Sequence, residues 1–160
     1  MAEEGFRITY ATMTADNEDL HKAYDEGIEV ARSWLGQKHP LFVDGEPRDG
    51  SGYKAAHSPI DGSLIGEFAM GTREDVRDAV AAAKEAFHAW ANSPWQERVA
   101  IIRKAADLMS EQRNELSALM AMEVGKNRLE ALGDVEESAD LLRWNANEVE
   151  QNDGFREPMQ

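Results

Sequence analysis

Two helix-start signals in succession constrain this chain more than any other feature it carries. Thr72 and Asp75 stand three residues apart, the spacing of a capping box in which a hydroxyl and a carboxylate satisfy free N–H groups at a helix start. Ser93, Pro94 and Gln96 repeat the logic, with serine as cap, proline at the first helical position and glutamine completing the box. Behind each start, apolar residues recur by threes and fours: Val76, Val80, Ala83, Phe87 and Trp90, then Trp95, Val99, Ile102, Ala106 and Met109. Each pattern predicts an amphipathic helix with an apolar face that something must cover.

The pattern extends in both directions. Leu116, Leu119, Met120 and Met122 predict a further helical stretch stopped by Gly125, and Leu132, Val135, Ala139, Leu142, Ala146 and Val149 another, broken at Asp153-Gly154. Near the start, Leu20, Tyr24, Ile28, Ala31 and Leu35 predict a helix over 14–34, with Asp16 as cap and Gly36 as stop. Strand signals are few and early. Residues 41–46 read as a short strand entering a turn, with Pro47, Gly50 and Gly52 marking loop. Tyr53–Ala56 and Ser63–Ala69 flank Pro59-Ile60-Asp61-Gly62 as a β-hairpin, Asp-Gly supplying the positive-φ corner. The chain is thus mostly helical with a few short early β-strands.

Charge removes several classes of function. The 160 residues include 31 acidic and 17 basic side chains, a net charge of −14. Binding nucleic acid requires clustered Lys and Arg to displace phosphate counterions, so nucleic acid and anionic membrane are poor partners. The acid excess has two readings, solvated helix faces or adaptation to a salty cytoplasm. Without cysteine the chain has no disulfide, thiolate metal site or cysteine nucleophile. The start, MAEEGFR, lacks a basic segment followed by an apolar run, and no apolar stretch approaches the roughly 20 residues of a membrane helix. The sequence therefore reads as a cytoplasmic protein.

Few residues are candidates for chemistry. Gly125-Lys126 is not a phosphate loop, because Met120 and Asn127 occupy positions that require glycine and a hydroxyl. Gly125 reads as a helix stop with Lys126 near the negative helix end. His21, His39, His57 and His88 lack the i, i+4 spacing of a helical metal pair. Trp34, Trp90, Trp95 and Trp144 read as core residues. The carboxylates Asp134, Glu136, Glu137 and Asp140 lie beside the apolar stripe of the last helix, where a solvated face is the ordinary reading.

In order and spacing, the turn SPIDGSLIGEF, the helix TREDVRDAVAAAKEAFHAW, the opening SPWQERVAIIRKAADLM and the closing MEVGKN resemble the start of an aldehyde dehydrogenase. Residues 6–45 resemble the N-terminal extension of one branch, the 1-pyrroline-5-carboxylate dehydrogenases, which oxidise glutamate semialdehyde to glutamate. The similarity runs from Phe6 to Pro158 and corresponds to the opening portion of such an enzyme. It implies an α/β parent fold, with residues 1–52 as extension and 53–160 as the first part of the dehydrogenase domain, before the nucleotide-binding and catalytic parts.

Further expectations follow from that resemblance. Dehydrogenation needs a thiolate, an oxyanion site and a base, all of which come later in the family's chains, so no catalytic and no cofactor-binding residue is assigned here. NAD or NADP serves the complete enzyme, and the residues that choose between them lie outside this chain. By resemblance, Glu137, within ALGDVEESADLLRW, lines the aldehyde entrance, where a carboxylate orients the substrate's ammonium group or waters around it. Its partners would be the remainder of the dehydrogenase chain and, in the complete enzyme, further copies as a homo-oligomer, with the strand after Phe155 used in oligomerisation. The competing reading is a free-standing, non-catalytic acidic helical module that pairs with a partner through its uncovered stripes.

Overall fold

The computed structural model describes residues 14–155, which form two compact units: one of residues up to Ser33 together with those from Trp95 onward, the other of Trp34–Pro94. No helix among the described residues is long and apolar enough to cross a membrane.

The first unit is a bundle of helices α1 (Glu18–Ser33), α3 (Trp95–Glu111), α4 (Arg113–Val124) and α5 (Arg128–Gln151), numbered in chain order around an α2 that belongs to the other unit. Helix α1 begins where Asn17, and not Asp16, caps it: the Leu20 N–H donates to Asn17 Oδ1 at 3.0 Å. Asp16 instead bonds the Thr14 side chain, which lowers its pKa from the ordinary aspartate value. Of the predicted stripe, Leu20, Tyr24 and Ala31 are buried and pack with Ala118 of α4 and Leu132 of α5 into one core, Ile28 is partly buried against it, and Leu35 lies beyond the end of α1. Helices α1 and α4 approach closely at Gly27, where a Cβ would stand 2.7 Å from the carbonyl carbon of Asn114. Helix α5 carries the longest stripe, with Ala131, Leu132, Val135, Ala139 and Ala146 buried. Arg143 of α5 reaches α3, donating to the Ala106 carbonyl at 3.2 Å and to Ser110 Oγ at 3.0 Å.

The second unit holds the strands β1 (Gln37–His39), β2 (Leu41–Val43), β3 (Glu46–Arg48), β4 (Tyr53–His57) and β5 (Leu64–Ala69), followed by α2 (Arg73–Asn92). The hairpin β4–β5 is as the sequence indicates, with Gly62 at φ 74° in its turn. Two features differ from the sequence reading. Strand β1 adds to β5 in parallel, giving the order β1-β5-β4, and Pro47 lies within β3, whose pairing with β2 turns at Asp44-Gly45 with φ positive at both. A two-stranded ladder tolerates the missing proline N–H on its outer side.

Helix α2 opens with the full capping box: the Asp75 N–H donates to Thr72 Oγ1 at 3.1 Å, and the Thr72 N–H donates to Asp75 Oδ2 at 2.7 Å. Arg48 adds an ion pair to Asp75 at 3.7 Å. These bonds, led by the Thr72 hydroxyl, hold the Asp75 pKa below its ordinary value of 3.8. A carboxylate whose folded pKa is depressed contributes stability above its unfolded pKa and loses it as pH falls through the folded one. Acidification from about pH 6 to about pH 3 should therefore lower the melting temperature less in Asp75→Asn than in the parent. Equal acid losses would show that the box contributes nothing. Ser93, read as the cap of α3, closes α2: its N–H donates to the Ala89 and Trp90 carbonyls and its Oγ to Trp90 O at 2.8 Å.

The aromatic residues correct the sequence reading. None of the four tryptophans is buried; Trp90 and Trp144 are half exposed, and α2 has no buried residue at all. Its stripe of Val76, Val80, Phe87 and Trp90 is apolar, as predicted, and uncovered. Residues 156–158, read as extended, lie outside the described residues.

Candidate functional site

Helix α5 positions the candidate residue. Gly125, at φ 75°, ends α4 by donating its N–H to the Ala121 carbonyl at 2.9 Å. Asn127 then caps α5, its Oδ1 accepting from the Glu130 N–H at 3.0 Å. From that start the buried stripe fixes the rotation of α5, because Leu132, Val135 and Ala139 must face the bundle. Glu137 is consequently exposed, with Leu141 and Trp144 one and two turns onward on the same face, 54% and 57% exposed. The face is a carboxylate at the head of an apolar strip.

The four carboxylates of this helix are not equivalent. Asp134 is paired with Lys126, Glu136 with Arg113 at 3.8 Å and with Ser110 Oγ at 3.0 Å, and Asp140 with Arg143 at 3.3 Å. The bond to Asp134 raises the Lys126 pKa above the ordinary lysine value. Glu137 has no ion-pair partner among the described residues. A solvated face thus accounts for three members of the cluster only after their own cations are counted. The fourth is left as an accessible carboxylate able to hold an external cation.

The other residues weighed in the sequence have structural surroundings. His21 lies between the Ala15 carbonyl and Arg128, His39 stacks on Phe68 with centroids 4.9 Å apart, and His57 faces the Gly62 carbonyl. No group of three metal-ligating side chains occurs among the described residues. Arg128, at the first turn of α5, is held by Asp25 and lies 4.5 Å from the centre of the Tyr24 ring, which offsets its unfavourable place at a helix N-terminus.

A groove of about 330 Å³ runs between α3 and α5, lined chiefly by Trp95, Val99, Ile102, Leu142 and Val149, with Arg98 and Asn145 as its polar members. Glu137 is not part of it. Gly154 also lines it, and a Cβ there would collide with the Trp95 ring, so Ala substituted at this position would displace that ring. The lining carries no glycine-rich turn between strand and helix, so these residues do not fit a dinucleotide's pyrophosphate.

Comparison with known proteins adds to this geometry. The family model described as the aldehyde dehydrogenase family matches residues 47–160. A curated 1-pyrroline-5-carboxylate dehydrogenase of Bacillus licheniformis is 30% identical over 134 residues, 82% of this chain and 26% of that protein. One from Staphylococcus saprophyticus is 30% identical over 126 residues. Among solved structures, a Thermus 1-pyrroline-5-carboxylate dehydrogenase with bound NAD superposes with a TM-score of 0.80 at 31% identity, covering 92% of this chain and 28% of that one. The chain spans about a quarter of the length of the relatives it matches.

Proposed function

The chain belongs to the aldehyde dehydrogenase family, and from that membership we propose that it serves in a 1-pyrroline-5-carboxylate dehydrogenase, oxidising L-glutamate 5-semialdehyde to glutamate in the cytoplasmic degradation of proline. The observation that carries the reading to this substrate is Glu137, the one carboxylate of its cluster without a cation beside it, exposed at the head of an apolar strip. An amino aldehyde has the complementary parts: an ammonium group for the carboxylate and a short hydrocarbon stem for Leu141 and Trp144. Family membership and similarity to dehydrogenases over most of the chain favour this reading over a free-standing interaction module.

In this reading the chain's role is binding and orientation. Glu137 attracts and aligns the ammonium group as the aldehyde enters, an electrostatic contribution made before any bond is broken. The attacking thiolate, the oxyanion donors and the NAD that accepts hydride belong to parts of the family fold that this chain does not supply. The two units described here would be extended by those parts, and homo-oligomerisation of the complete enzyme is part of the same proposal. Residues 1–52 would be the extension of this branch and 53–160 the first part of its dehydrogenase domain.

The test is substrate discrimination in a complete enzyme, made by placing this chain in place of the matching segment of the Bacillus licheniformis relative. Glu137→Ala should lower kcat/KM for glutamate semialdehyde about tenfold, the size of one charge-assisted contact, and change that for an uncharged aldehyde such as butanal less than about twofold. Equal losses for the two aldehydes would remove Glu137 from the entrance.

A further inference from the structure

Glu137 has a carboxylate one turn before it, Asp134, and another one turn after it, Asp140, and both are matched by cations. The two matches differ in kind. Arg143, besides pairing with Asp140, is bonded to the Ala106 carbonyl, Asp107 and Ser110, so it has a packing role that would exist without Asp140. Among the described residues Lys126 pairs with Asp134 alone, from a side chain 38% exposed in the three-residue link between α4 and α5. An exposed pair of this kind adds little to stability. Its consequence lies in the field around Glu137: residues three apart on a helix have Cβ atoms about 5–6 Å apart, so an unmatched Asp134 would place a second negative charge beside the first.

We infer that Lys126 sets the charge preference of the ligand held at Glu137: by neutralising Asp134 it leaves a single negative charge there, suited to an amino aldehyde that also bears a carboxylate, and withholds the second charge that would favour a cationic amino aldehyde. The inference rests on the proposed role of Glu137. A zwitterion gains little from a second carboxylate, because its ammonium is attracted while its own carboxylate is repelled. A monocation has only the attraction. The pair is therefore a device for discrimination between two ligands that share ammonium, stem and aldehyde and differ in one carboxylate.

The experiment compares glutamate semialdehyde with 4-aminobutanal, its analogue without the carboxylate, in the complete fused enzyme. Lys126→Gln should raise the ratio of kcat/KM for 4-aminobutanal over that for the semialdehyde about threefold at low salt, the scale of one partly screened charge. The shift should shrink as salt is added, and Lys126→Gln with Asp134→Asn should restore the parent ratio, which a merely structural role of Lys126 would not do. An unchanged ratio in Lys126→Gln, with Glu137→Ala still selective against the semialdehyde, overturns this inference and leaves the proposed function standing. A Glu137→Ala enzyme that loses both substrates and butanal equally overturns both. A shift in Lys126→Gln that the Asp134→Asn change fails to reverse assigns the effect to packing and also overturns the inference.

Discussion

Leu132→Ala should destabilise the helical unit by about 3 kcal/mol, the central value for deleting a fully buried leucine side chain. Leu132 has 0% exposure and sits where α5 meets the cluster of Leu20, Tyr24, Ala31 and Ala118. Its buried neighbours close the gap only in part, because two are alanines and Tyr24 is held, its hydroxyl donating to the Ser117 carbonyl at 3.4 Å and its ring under Arg128. A cavity therefore persists and its cost adds to the lost transfer energy. Chemical denaturation reads the effect as a lower midpoint at unchanged slope. A loss below about 1 kcal/mol would mean that the site collapses and that this cluster is not the core.

The second large effect is at Gly27. Alanine in a helix is ordinarily more favourable than glycine by about 1 kcal/mol, so the substitution would stabilise α1 if it were free. Here the added Cβ would stand 2.7 Å from the Asn114 carbonyl carbon and 2.8 Å from its Cβ. The obstacle is the backbone of α4, which cannot rotate aside as a flexible side chain would. Separating α1 from α4 also loosens Leu20, Tyr24 and Ala31 against Ala118. Overpacking of this kind costs about 1–3 kcal/mol, which outweighs the propensity gain. Gly27→Ala should therefore lower the denaturation midpoint. A rise would show that α1 does not approach α4 at this point.

Local signals were legible where a few neighbouring residues decide the structure. The Thr72–Asp75 box, the Gly125 stop and the three-four stripe of α5 depend on near neighbours, and each appears in the structure as the sequence indicates. Strand β1 was not legible, since Gln37-Lys38-His39 is short and polar and becomes a strand only through parallel pairing with Gly66, Glu67 and Phe68. The β2–β3 hairpin did carry a signal in Asp44-Gly45, but Pro47 pointed to loop and concealed it. Asn17 and Asp16 are both competent caps, and sequence alone does not choose between adjacent ones.

The tryptophans show a different limit. A stripe tells which face of a helix is apolar, not whether that face is covered, and Trp90 and Trp144 lie on faces left open. The acidic cluster shows the same limit for charge. Asp140 and Arg143 stand three apart and their pairing can be read from spacing, whereas Glu136 meets Arg113 only once α4 and α5 are folded beside each other, and Asp134 meets Lys126 only through the path of the turn ahead of α5. What distinguishes Glu137 is therefore a property of the fold, even though its position was already marked by family resemblance.

The measurement that bears most directly on the account is dehydrogenase activity of the fused enzyme, in which this chain replaces the matching segment of the Bacillus licheniformis relative. Reduction of NAD should proceed with glutamate semialdehyde, and kcat/KM for it should exceed that for butanal by about tenfold or more, the value of the ammonium contact. A folded fusion that oxidises butanal as well as or better than the semialdehyde, or that oxidises neither, would contradict the claim that this chain forms the entrance of such an enzyme.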